Sequence, residues 1–474
     1  MALTSDVSEG TLVRYASASA VQYRSPYVPN AEHAQAREKG GRILFINRYF
    51  YPDVSATSQI LFDLAKRLVE HGLDVHVVCS RQLYEDPSAA LPAHETIHGI
   101  KVHRALTTRF GRGNLIGRAA DYASFYVTGA ANLLLLLRAG DVVVAKTDPP
   151  LISIAAAAIA KTRGARLVNW LQDLFPEVAT HLDANPLPAW LDKLLKGMRD
   201  RSLRSAEVNV VLGSRMREQL GRCGIPNEKI RIIENWADGD LVEPKPVEAS
   251  SLRKELGLAN KFVVAYSGNL GRAHEYHTLL GAAEAMRDDR DVVFLMVGGG
   301  ARLEELRCAV EFRGLPNFVF LPYQPRELLA DALAAADVHL ACLLPELEGL
   351  IVPSKFYGIL AAGRPAVFIG DTDGELARII DEFRCGSVVQ TGDSQALVRA
   401  LWVLRHREEL RQEMGVRARQ LFLRKYTVGR ATREWLNLIS QLQWTASKAQ
   451  DSDSGSLEPS NASEERLTGK MRSH

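Results

Sequence analysis

The sequence lacks the cysteine spacing that a metal cluster or a set of disulfides requires. Its five cysteines are odd in number, far apart and without a CxxC pair: Cys79, Cys223, Cys308, Cys342 and Cys385. Structural zinc sites need ligands at short, repeated spacing, which this pattern does not provide. We therefore predict reduced thiols in a cytoplasmic protein, and no metal site.

The chain also lacks an excess of charge of either sign. Lys plus Arg number 58 and Asp plus Glu number 56, which gives a net charge of +2 over 474 residues. Proteins that bind nucleic acid usually carry a strong basic excess, so no nucleic-acid partner is predicted. An anionic ligand must then be bound by local groups.

Neither end of the chain has the pattern of a folded domain. Residues 1–40 show no apolar periodicity and no continuous apolar core of the kind that a secretory signal peptide needs. Residues 447–474 are rich in serine and charge and have few large apolar side chains. We predict a flexible extension over 1–40 and a disordered tail over 447–474.

One long apolar run needs an explanation. Ala119 to Leu137 has Asp121 as its only charge and is bracketed by Arg118 and Arg138. The run is long enough to span a bilayer, but a carboxylate inside it is expensive in lipid. A buried or half-buried helix is one interpretation, and a helix resting on a membrane surface beside the arginines from Arg109 onward is another.

From residue 42 onward, short β-branched runs alternate with helical patterns, which is typical of parallel sheets with crossover helices. The strands predicted in the first half are 42–47, 73–79, 141–145, 166–171, 207–212 and 229–233. A helix is predicted over 55–71, where apolar residues share one face and Ser55 or Thr57 is suited to cap it.

A segment rich in proline and charge, 241–246, lacks an apolar period and suits a hinge. The second series of predicted strands is 262–266, 292–297, 318–321, 338–343 and 366–369, with helices at 276–286, 326–335 and 355–362. A last helix is predicted at about 428–443. The predicted fold class is α/β, with two Rossmann-like domains, 41–240 and 241–427, facing across a cleft.

In open parallel sheets, ligands bind beyond the carboxyl ends of the strands, so the loops there are candidate sites. Gly268, Asn269, Gly271 and Arg272 follow the first strand of the second domain. The glycines permit close backbone approach and Arg272 offers a multi-donor cation, a combination that suits a phosphate. A glycine-rich turn with a solvated arginine is the alternative.

Two neighbouring loops carry weaker signals. Gly298 and Gly299 follow the next strand, where a nucleotide can pass against the backbone. Tyr323 and Gln324 precede a predicted helix, and their loop offers backbone groups for a base edge or forms an ordinary helix-entry turn.

The segment from Glu346 to Gly358 gives the sharpest signal. Pro353 and Ser354 are suited to open a helix whose free N–H groups would face the cleft. Lys355 adds a cation in the first turn, where it opposes the helix dipole, so its position is easiest to explain if an anion binds there.

The sequence of the first domain contains fewer residues whose pattern indicates a function. Asp173 and Glu177 lie at a strand end, placed to approach a sugar, although Asp173 is equally well explained as a turn or cap residue. The residues from Lys146 to Pro150 hold the equivalent place after another strand, where Asx-Pro turns are common. Ser55 and Thr57 offer hydroxyls to an acceptor or phosphate, without the GxGxxG spacing of a dinucleotide dehydrogenase.

These motifs, in this order, resemble glycosyltransferase family 4, particularly its branch acting on bacterial surface polysaccharide and O-antigen precursors. The resemblance is carried by 268–271, 298–300, 353–357 and 360–365, with further matches at 173–177 and 235–238. It implies a GT-B fold, with a UDP- or GDP-sugar donor held by the second domain and an acceptor by the first. It further implies retention of configuration, no cofactor, no obligatory metal, and a last helix, 428–446, that crosses back to the first domain.

The sequence departs from the family at one place. The family carries two glutamates eight positions apart, and the matching positions hold Leu350 and Gly358. Glu348 is the candidate to supply one of the missing sugar contacts. Arg272 and Lys355 match positions that resemble the family's diphosphate contacts.

The resemblance predicts transfer of a hexosyl or N-acetylhexosaminyl group to a lipid-linked or saccharide acceptor at the cytoplasmic membrane face. The favoured route is a same-face substitution with Arg272 and Lys355 stabilising the leaving diphosphate. A double displacement would need a carboxylate nucleophile, for which Asp173 is the candidate. A nucleotide-sugar epimerase and a non-catalytic scaffold are the two alternatives, the latter because of Gly358.

Overall fold

The computed structural model describes residues 42–84, 86, 88–110, 115–182 and 188–454, with only the backbone of 115, 116 and 443–454. The predicted extension over 1–40 and the part of the predicted tail from 455 onward lie outside the described residues.

The first half of the chain builds a sheet of eight described strands. These are β1 (Ile43–Ile46), β2 (Val75–Ser80), β3 (His94–Ile97), β4 (Ile100–Ala105), β5 (Val142–Lys146), β6 (Arg166–Trp170), β7 (Val208–Val211) and β8 (Ile230–Ile232). The helices are α1 (Ala56–Glu70), α2 (Leu115–Leu136), α3 (Ile152–Arg163), α4 (Glu177–His181), α5 (Ala189–Ser205) and α6 (Ser214–Arg222). The strand order is β3-β4-β2-β1-β5-β6-β7-β8, with β3 antiparallel to β4 and the other pairs parallel.

The second half builds a parallel sheet of six described strands. These are β9 (Phe262–Asn269), β10 (Val292–Gly299), β11 (Phe318–Leu321), β12 (Val338–Cys342), β13 (Ala366–Gly370) and β14 (Gly386–Gln390). The helices are α7 (Ser251–Glu255), α8 (His277–Ala285), α9 (Ala301–Arg313), α10 (Leu329–Ala334), α11 (Lys355–Ala361), α12 (Glu375–Phe383), α13 (Ser394–His406), α14 (Glu408–Lys425) and α15 (Val428–Ser454). The strand order is β11-β10-β9-β12-β13-β14. Short 3-10 turns occupy Asn227–Lys229, Val247–Ala249, Arg326–Leu328 and Pro345–Leu347.

The central strands of both sheets are mostly apolar because helices cover both faces of each sheet. Ile43 and Phe45 of β1 face the core that contains α1 and α15, whereas Leu44 and Ile46 face the core under α2 and α3. Parallel sheets are normally buried in this way, so their strands read as continuous apolar runs. The predicted pair of α/β units is confirmed.

The strand order changes direction at β1 in the first sheet and at β9 in the second. β1 lies between β2 and β5, and β9 lies between β10 and β12. Connections that leave neighbouring strands toward opposite faces open a crevice at the carboxyl edge of the sheet. The predicted phosphate loop follows β9 and the Lys355 segment follows β12, so both lie at this crevice.

Helix α1 buries the face that its periodicity predicts, but it is not capped as predicted. The side chains of Ile60, Leu61, Leu64, Ala65 and Leu68 are buried. The residue at the N-cap makes no side-chain capping bond, because the hydroxyl of Ser55 donates to the Asp53 carboxylate instead. Thr57 lies inside the helix.

The long apolar run forms α2, which packs on the first sheet through residues such as Phe125 and Leu133. Its carboxylate is buried but satisfied, since Asp121 accepts from Thr108 Oγ1 at 2.7 Å and pairs with Arg48 at 3.7 Å. Within the described part of the chain, no helix combines the length and apolarity that crossing a bilayer demands. The half-buried interpretation is confirmed.

Helix α15 returns the chain to the first sheet, as predicted. Trp435, Leu438, Ile439 and Leu442 pack into the same core as Phe45. The helix continues to Ser454, so the prediction that the tail loses structure from 447 is wrong by eight residues. Only Lys448, Ala449 and Gln450 in this stretch have good helix propensity, so the extension relies on the low cost of lengthening an existing helix.

The strands that the sequence analysis left unnamed lie at or next to an edge of their sheet. β3 and β4 form a hairpin in which polar and charged residues alternate with apolar ones, and β14 closes the other sheet. Edge strands have one neighbour and a solvated face, so they lack the continuous apolar runs by which the central strands are recognised.

We predict that Trp435→Ala destabilises the protein by about 3–5 kcal/mol, because it removes a fully buried indole from the contact between α15 and the first sheet. The urea midpoint followed by far-UV circular dichroism measures this change. The matched control is Trp402→Ala, since Trp402 is 57% exposed on α13 and its loss should cost no more than about 0.5 kcal/mol. Equal midpoints for the two variants would contradict the prediction.

Candidate active site

The carboxyl ends of the two sheets meet where the loop after β6 contacts the loop after β12. Asp173 pairs with Ile351 in an isolated antiparallel bridge. The N–H of Leu174 donates to the carbonyl of Leu350 at 3.0 Å. The structure therefore brings together the predicted sugar segment, 173–177, and the predicted phosphate segment, 346–358.

The glycine-rich loops after β9 and β10 are packed against each other. Gly268 and Gly298 are register partners, both with positive φ, and a side chain at Gly298 would collide with the carbonyl of Gly268. A side chain at Gly300 would likewise collide with Asn269. The predicted loops are adjacent, but close packing between them already explains why glycine is needed at 298 and 300.

The side chain of Lys355 packs beneath the loop after β9 and is not free in the cleft. Its Nζ donates to the Tyr266 hydroxyl at 2.5 Å and to Nε2 of His274 at 2.9 Å, and it lies 4.4 Å from the centre of the Tyr266 ring. Burial lowers the pKa of Lys355 to about 8. The ammonium is therefore charged at neutral pH and close to losing its proton.

His274 also belongs to the site, although the sequence analysis did not identify it as a site residue. Nε2 of His274 faces the Lys355 ammonium at 2.9 Å, whereas Nδ1 lies 3.1 Å from the backbone N–H of Gly271 and 3.3 Å from its carbonyl. Burial, and then the charge of Lys355, hold the pKa of His274 well below its usual value. The sequence feature that could have identified His274 is a histidine in a glycine-rich loop directly after a strand.

Arg272 lies in a cavity of about 220 Å³ between α4 of the first half and the loops after β9 and β10. The lining residues are His181, Leu182, Arg272, Arg302, Glu305 and Leu344. Arg272 is exposed and forms no hydrogen bond or ion pair with residues in the described ranges. Its guanidinium is therefore available to an anion, and Arg302, which the sequence analysis missed, adds a second cation.

The first turn of α11 offers fewer free donors than predicted. The N–H groups of Phe356 and Tyr357 donate to the carbonyls of Pro353 and Ser354, each at 3.2 Å. The Ser354 hydroxyl makes no capping bond. The turn closes on itself at these two residues, whereas the N–H groups of Ser354 and Lys355 have no acceptor among the described residues.

Glu348 is not free to replace the missing glutamates. Its Oε1 accepts from the N–H of Glu375 at 2.7 Å, at the start of α12. A carboxylate at a helix N-terminus satisfies an otherwise unpaired donor and complements the helix dipole. Glu348 therefore caps α12 in this structure, and its proposed contact with the sugar stays a prediction.

The two positions where the family has glutamates are occupied differently. Leu350 is buried, and its carbonyl accepts from Leu174 across the domains. Gly358 is half-buried on α11, where an added Cβ would meet only Leu333, at 3.9 Å. Neither position supplies a carboxylate to a sugar.

Asp173 lies at the contact between the two domains, and the pKa of its carboxyl group is raised. Burial, and then the nearby Asp148, raise the pKa of Asp173 to about 6, against the opposing effect of Lys146. Lys146 is buried, with its Nζ 2.6 Å from the carbonyl of Thr57 and 4.1 Å from the centre of the Trp170 ring. Burial lowers the pKa of Lys146 to about 7.

The remaining first-domain candidates have structural partners. Glu177, which was predicted to bind substrate, forms a bidentate pair with Arg199, with both N–O distances 2.8 Å, so its carboxylate already has a partner within the first domain. Ser55 is held by Asp53 through its N–H at 2.9 Å and through its hydroxyl. The carbonyl of Thr57 accepts a hydrogen bond from Nζ of Lys146.

Tyr323 and Gln324 lie beside the glycine loops. The half-exposed Tyr323 ring would meet a Cβ at Gly299 at 3.0 Å, which places it over that loop. The amide of Gln324 donates to the carbonyl of Pro322 at 3.0 Å. The Tyr323 ring thus lies against the loop after β10, whereas the amide of Gln324 donates within its own turn.

Each half of the chain matches a known protein family. Residues 56–236 match the glycosyl transferase 4-like domain, and residues 248–421 match the group 1 glycosyl transferases. The chain is 28% identical over 271 residues to WbjE of Pseudomonas aeruginosa, named as a probable glycosyltransferase, a match to 56% of this chain and 66% of WbjE. It is 27% identical over 230 residues to WcaI of Escherichia coli (strain K12), named as a colanic acid biosynthesis glycosyl transferase, a match to 48% of this chain and 56% of WcaI.

Each of these matches covers less than two thirds of the relative's own length. Among solved structures, the chain is similar to HepE of Anabaena, crystallised in complex with UDP, with a TM-score of 0.64 and 16% identity over 84% of this chain and 100% of HepE. An identity this low supports the fold alone. With one family model matched on each of its two sheets, the chain belongs to the glycosyltransferases of the GT-B fold, with a 4-like first domain and a group 1 second domain.

Proposed function

We propose that this chain is a retaining glycosyltransferase of bacterial surface polysaccharide biosynthesis. In this proposal the second domain, 241–427, binds a nucleotide-sugar donor, and the first domain, 41–240, binds a lipid-linked or saccharide acceptor at the cytoplasmic face of the membrane. The relationship to WcaI supports the polysaccharide assignment. Structures of HepE with UDP and with UDP-glucose support a UDP-sugar as the first donor to test.

The observation that carries the proposal is the exposed guanidinium of Arg272 in the cavity between the domains. A glycosyl transfer must stabilise a departing nucleoside diphosphate while positive charge develops on the anomeric carbon. Arg272 is placed to bind the diphosphate directly. Lys355 contributes its charge from beneath the same loop, fixed by Tyr266 and His274.

The proposed chemistry is a same-face substitution. The acceptor hydroxyl oxygen forms a bond to the anomeric carbon as the bond from that carbon to the donor phosphate breaks, and the phosphate oxygen takes the hydroxyl proton. Glu177 and Glu348 are engaged by Arg199 and Glu375, so they do not serve as nucleophiles. Asp173 remains the carboxylate to test for a double displacement.

Turnover with and without acceptor separates this proposal from its alternatives. A transferase releases nucleoside diphosphate in proportion to acceptor, whereas a nucleotide-sugar epimerase converts its substrate with no acceptor present. A scaffold protein binds without turnover.

We further propose that turnover needs no divalent metal, so activity should persist in EDTA.

We predict that one of UDP, GDP, ADP and dTDP binds selectively in calorimetric titration, and that Arg272→Ala weakens that binding by about 2 kcal/mol, roughly thirtyfold, because a charge-assisted contact is lost. The matched control is Arg399→Ala, whose side chain is 68% exposed on α13 and distant in sequence from the site loops. Failure of all four nucleotides to bind at millimolar concentration would favour the scaffold alternative. Unchanged binding by folded Arg272→Ala would remove Arg272 from the site.

The lowered pKa of Lys355 predicts a pH dependence of nucleotide binding. Above about pH 8 the ammonium loses its proton, so the affinity for the diphosphate should fall. The same shift makes the folded state more stable as pH rises from about 8 to 10.5, because the unfolded chain then binds more protons than the folded one. Titrations across this range should show the fall in wild type and a flat profile in Lys355→Met. A fall that persists in Lys355→Met would assign it to another group.

We predict that Gly298→Ala disrupts nucleotide binding, because the new methyl group would displace the backbone of Gly268 and Gly298 has a φ of +132°. The binding should weaken by at least about tenfold, with a loss of roughly 1–3 kcal/mol in stability. Gly358→Ala is the control, because its helical site has room for a methyl group and should gain about 0.5–1 kcal/mol. The reverse ranking of the two variants would contradict the packing described above.

A further inference from the structure

A second cavity lies where the predicted hinge, 241–246, meets the second domain. Its volume is about 350 Å³, and we call it the hinge cavity. Asp337 and Pro365, which line it, come directly before β12 and β13, so the cavity lies at the amino ends of these strands. Arg272 lies beyond the carboxyl end of β9, at the opposite edge of the same sheet. The hinge cavity is therefore separate from the proposed donor site.

The hinge cavity is bounded by residues 244–248 on one side and by 363–365 and the first turn of α14 on the other. Arg364 joins the two sides, because its Nη2 donates to the carbonyl of Lys245 at 2.7 Å and to the carbonyl of Ala334 at 3.1 Å. A ligand that contacts Arg364 would therefore bind where the hinge segment is attached to the second domain.

Three arginines surround one buried carboxylate beside this cavity. Asp337 is paired with the buried Arg253 at 2.9 Å, between Oδ2 and Nη1. Nη2 of the half-buried Arg411 lies 3.8 Å from the other oxygen of Asp337. Arg364 is close enough to all three for their charges to affect the pKa of its guanidinium, which burial lowers. One carboxylate balances one of the three cations, so the group keeps an excess of positive charge.

The guanidinium of Arg364 also has a donor that is not used. Its Nε is buried and has no hydrogen-bond partner among the described residues. Leaving a buried cationic donor without an acceptor costs free energy, and native proteins seldom do so without a reason. An anion in the hinge cavity would satisfy this donor and balance the charge of the arginines at the same time.

The other carboxylates of the hinge cavity lie at its rim. Glu248 and Glu408 line the cavity but are exposed, so solvent screens their charge more than that of the buried groups. Lys245, also exposed, adds a cation at the same rim. The rim therefore does not cancel the positive charge of the cavity's inner side.

We propose that the hinge cavity binds a small molecule that carries a phosphate group, held by Arg364 and Arg411. A guanidinium presents several donors in one plane and matches phosphate oxygens in pairs. A phosphate monoester carries about 1.5 to 2 negative charges at pH 7, close to the excess of three guanidinium groups over one carboxylate. The volume of the cavity lies in the range of small-molecule sites.

A ligand in this place would also restrain the hinge. Arg364 already holds the carbonyl of Lys245, and an anion on the same guanidinium would fix that contact. Domain closure requires hinge residues to change their backbone angles, so occupancy of the hinge cavity should lower turnover without competing with nucleotide. This effect on turnover rests on the proposed function, whereas binding at the hinge cavity does not.

The test is calorimetric titration of inorganic phosphate into the full-length Arg272→Ala protein at constant ionic strength, because this background weakens the donor site. The protein should bind phosphate, and adding Arg364→Met or Arg411→Met should weaken the binding by about tenfold, since a charge-assisted hydrogen bond is lost. The matched control adds Arg399→Met, which replaces a side chain that is 68% exposed on α13 and should leave the affinity unchanged.

A second variant keeps the test decisive if the arginine variants do not fold. Glu248 is exposed, so Glu248→Gln should fold like wild type. It removes a negative charge from the rim, and phosphate should then bind about threefold more tightly, as expected for an exposed charge.

Three results would overturn the proposal. The first is an Arg272→Ala protein that binds no phosphate at millimolar concentration. The second is equal affinity of the Arg364→Met and Arg399→Met proteins, and the third is a Glu248→Gln protein that binds phosphate no more tightly than its background. Nucleotide binding by the wild-type protein is measured separately, so the hinge site and the donor site stand or fall independently.

Discussion

The contacts of Trp170 connect the core, the crossover helix and the cleft. Its buried indole lies 4.9 Å from the ring of Trp435 on α15 and 5.9 Å from the ring of Trp236, measured between ring centres. The ammonium of Lys146 lies over the same indole, and the loop to Asp173 begins directly after it. Aromatic rings bury large apolar areas with defined geometry, so this cluster fixes the ends of β5 and β6 relative to α15.

The charged groups of the cleft divide into those that hold the structure and those left for a ligand. Glu177 and Glu348, both plausible sugar contacts by position, are bound to Arg199 and to the start of α12. Lys355 is held by its neighbours within the second domain, whereas Arg272 is exposed to the cavity. A site in which the free group is a cation suits the departure of a diphosphate better than attack by a protein carboxylate.

The two domains contact through apolar packing with polar links at its rim. One buried cluster includes Leu174 and Val178 of the first half and Leu347 and Leu350 of the second. Glu375 accepts from the Ser214 hydroxyl at 2.9 Å and from the N–H of Arg215 at 2.8 Å. Half-exposed polar links contribute about 0–1 kcal/mol each, so the apolar cluster and α15 set most of the relative position of the domains.

The two α/β units were predictable from local sequence, because buried parallel strands and amphipathic helices leave apolar patterns that can be recognised without knowing their partners. The sequence analysis also located the glycine loops and Arg272 at strand ends. It missed the β3–β4 hairpin, whose alternating polar residues are typical of an edge, and it missed the role of His274, whose ring is ordered by Lys355 from a segment about eighty residues away.

Which candidate groups are free depends on how the segments assemble. Glu177 and Glu348 have the right chemistry at the right strand ends, but each is bound by a neighbour that the local sequence does not identify. Local sequence sets backbone preference, whereas the pairing of a side chain depends on contacts between segments that are distant in the chain, and those contacts form only when the sheets assemble.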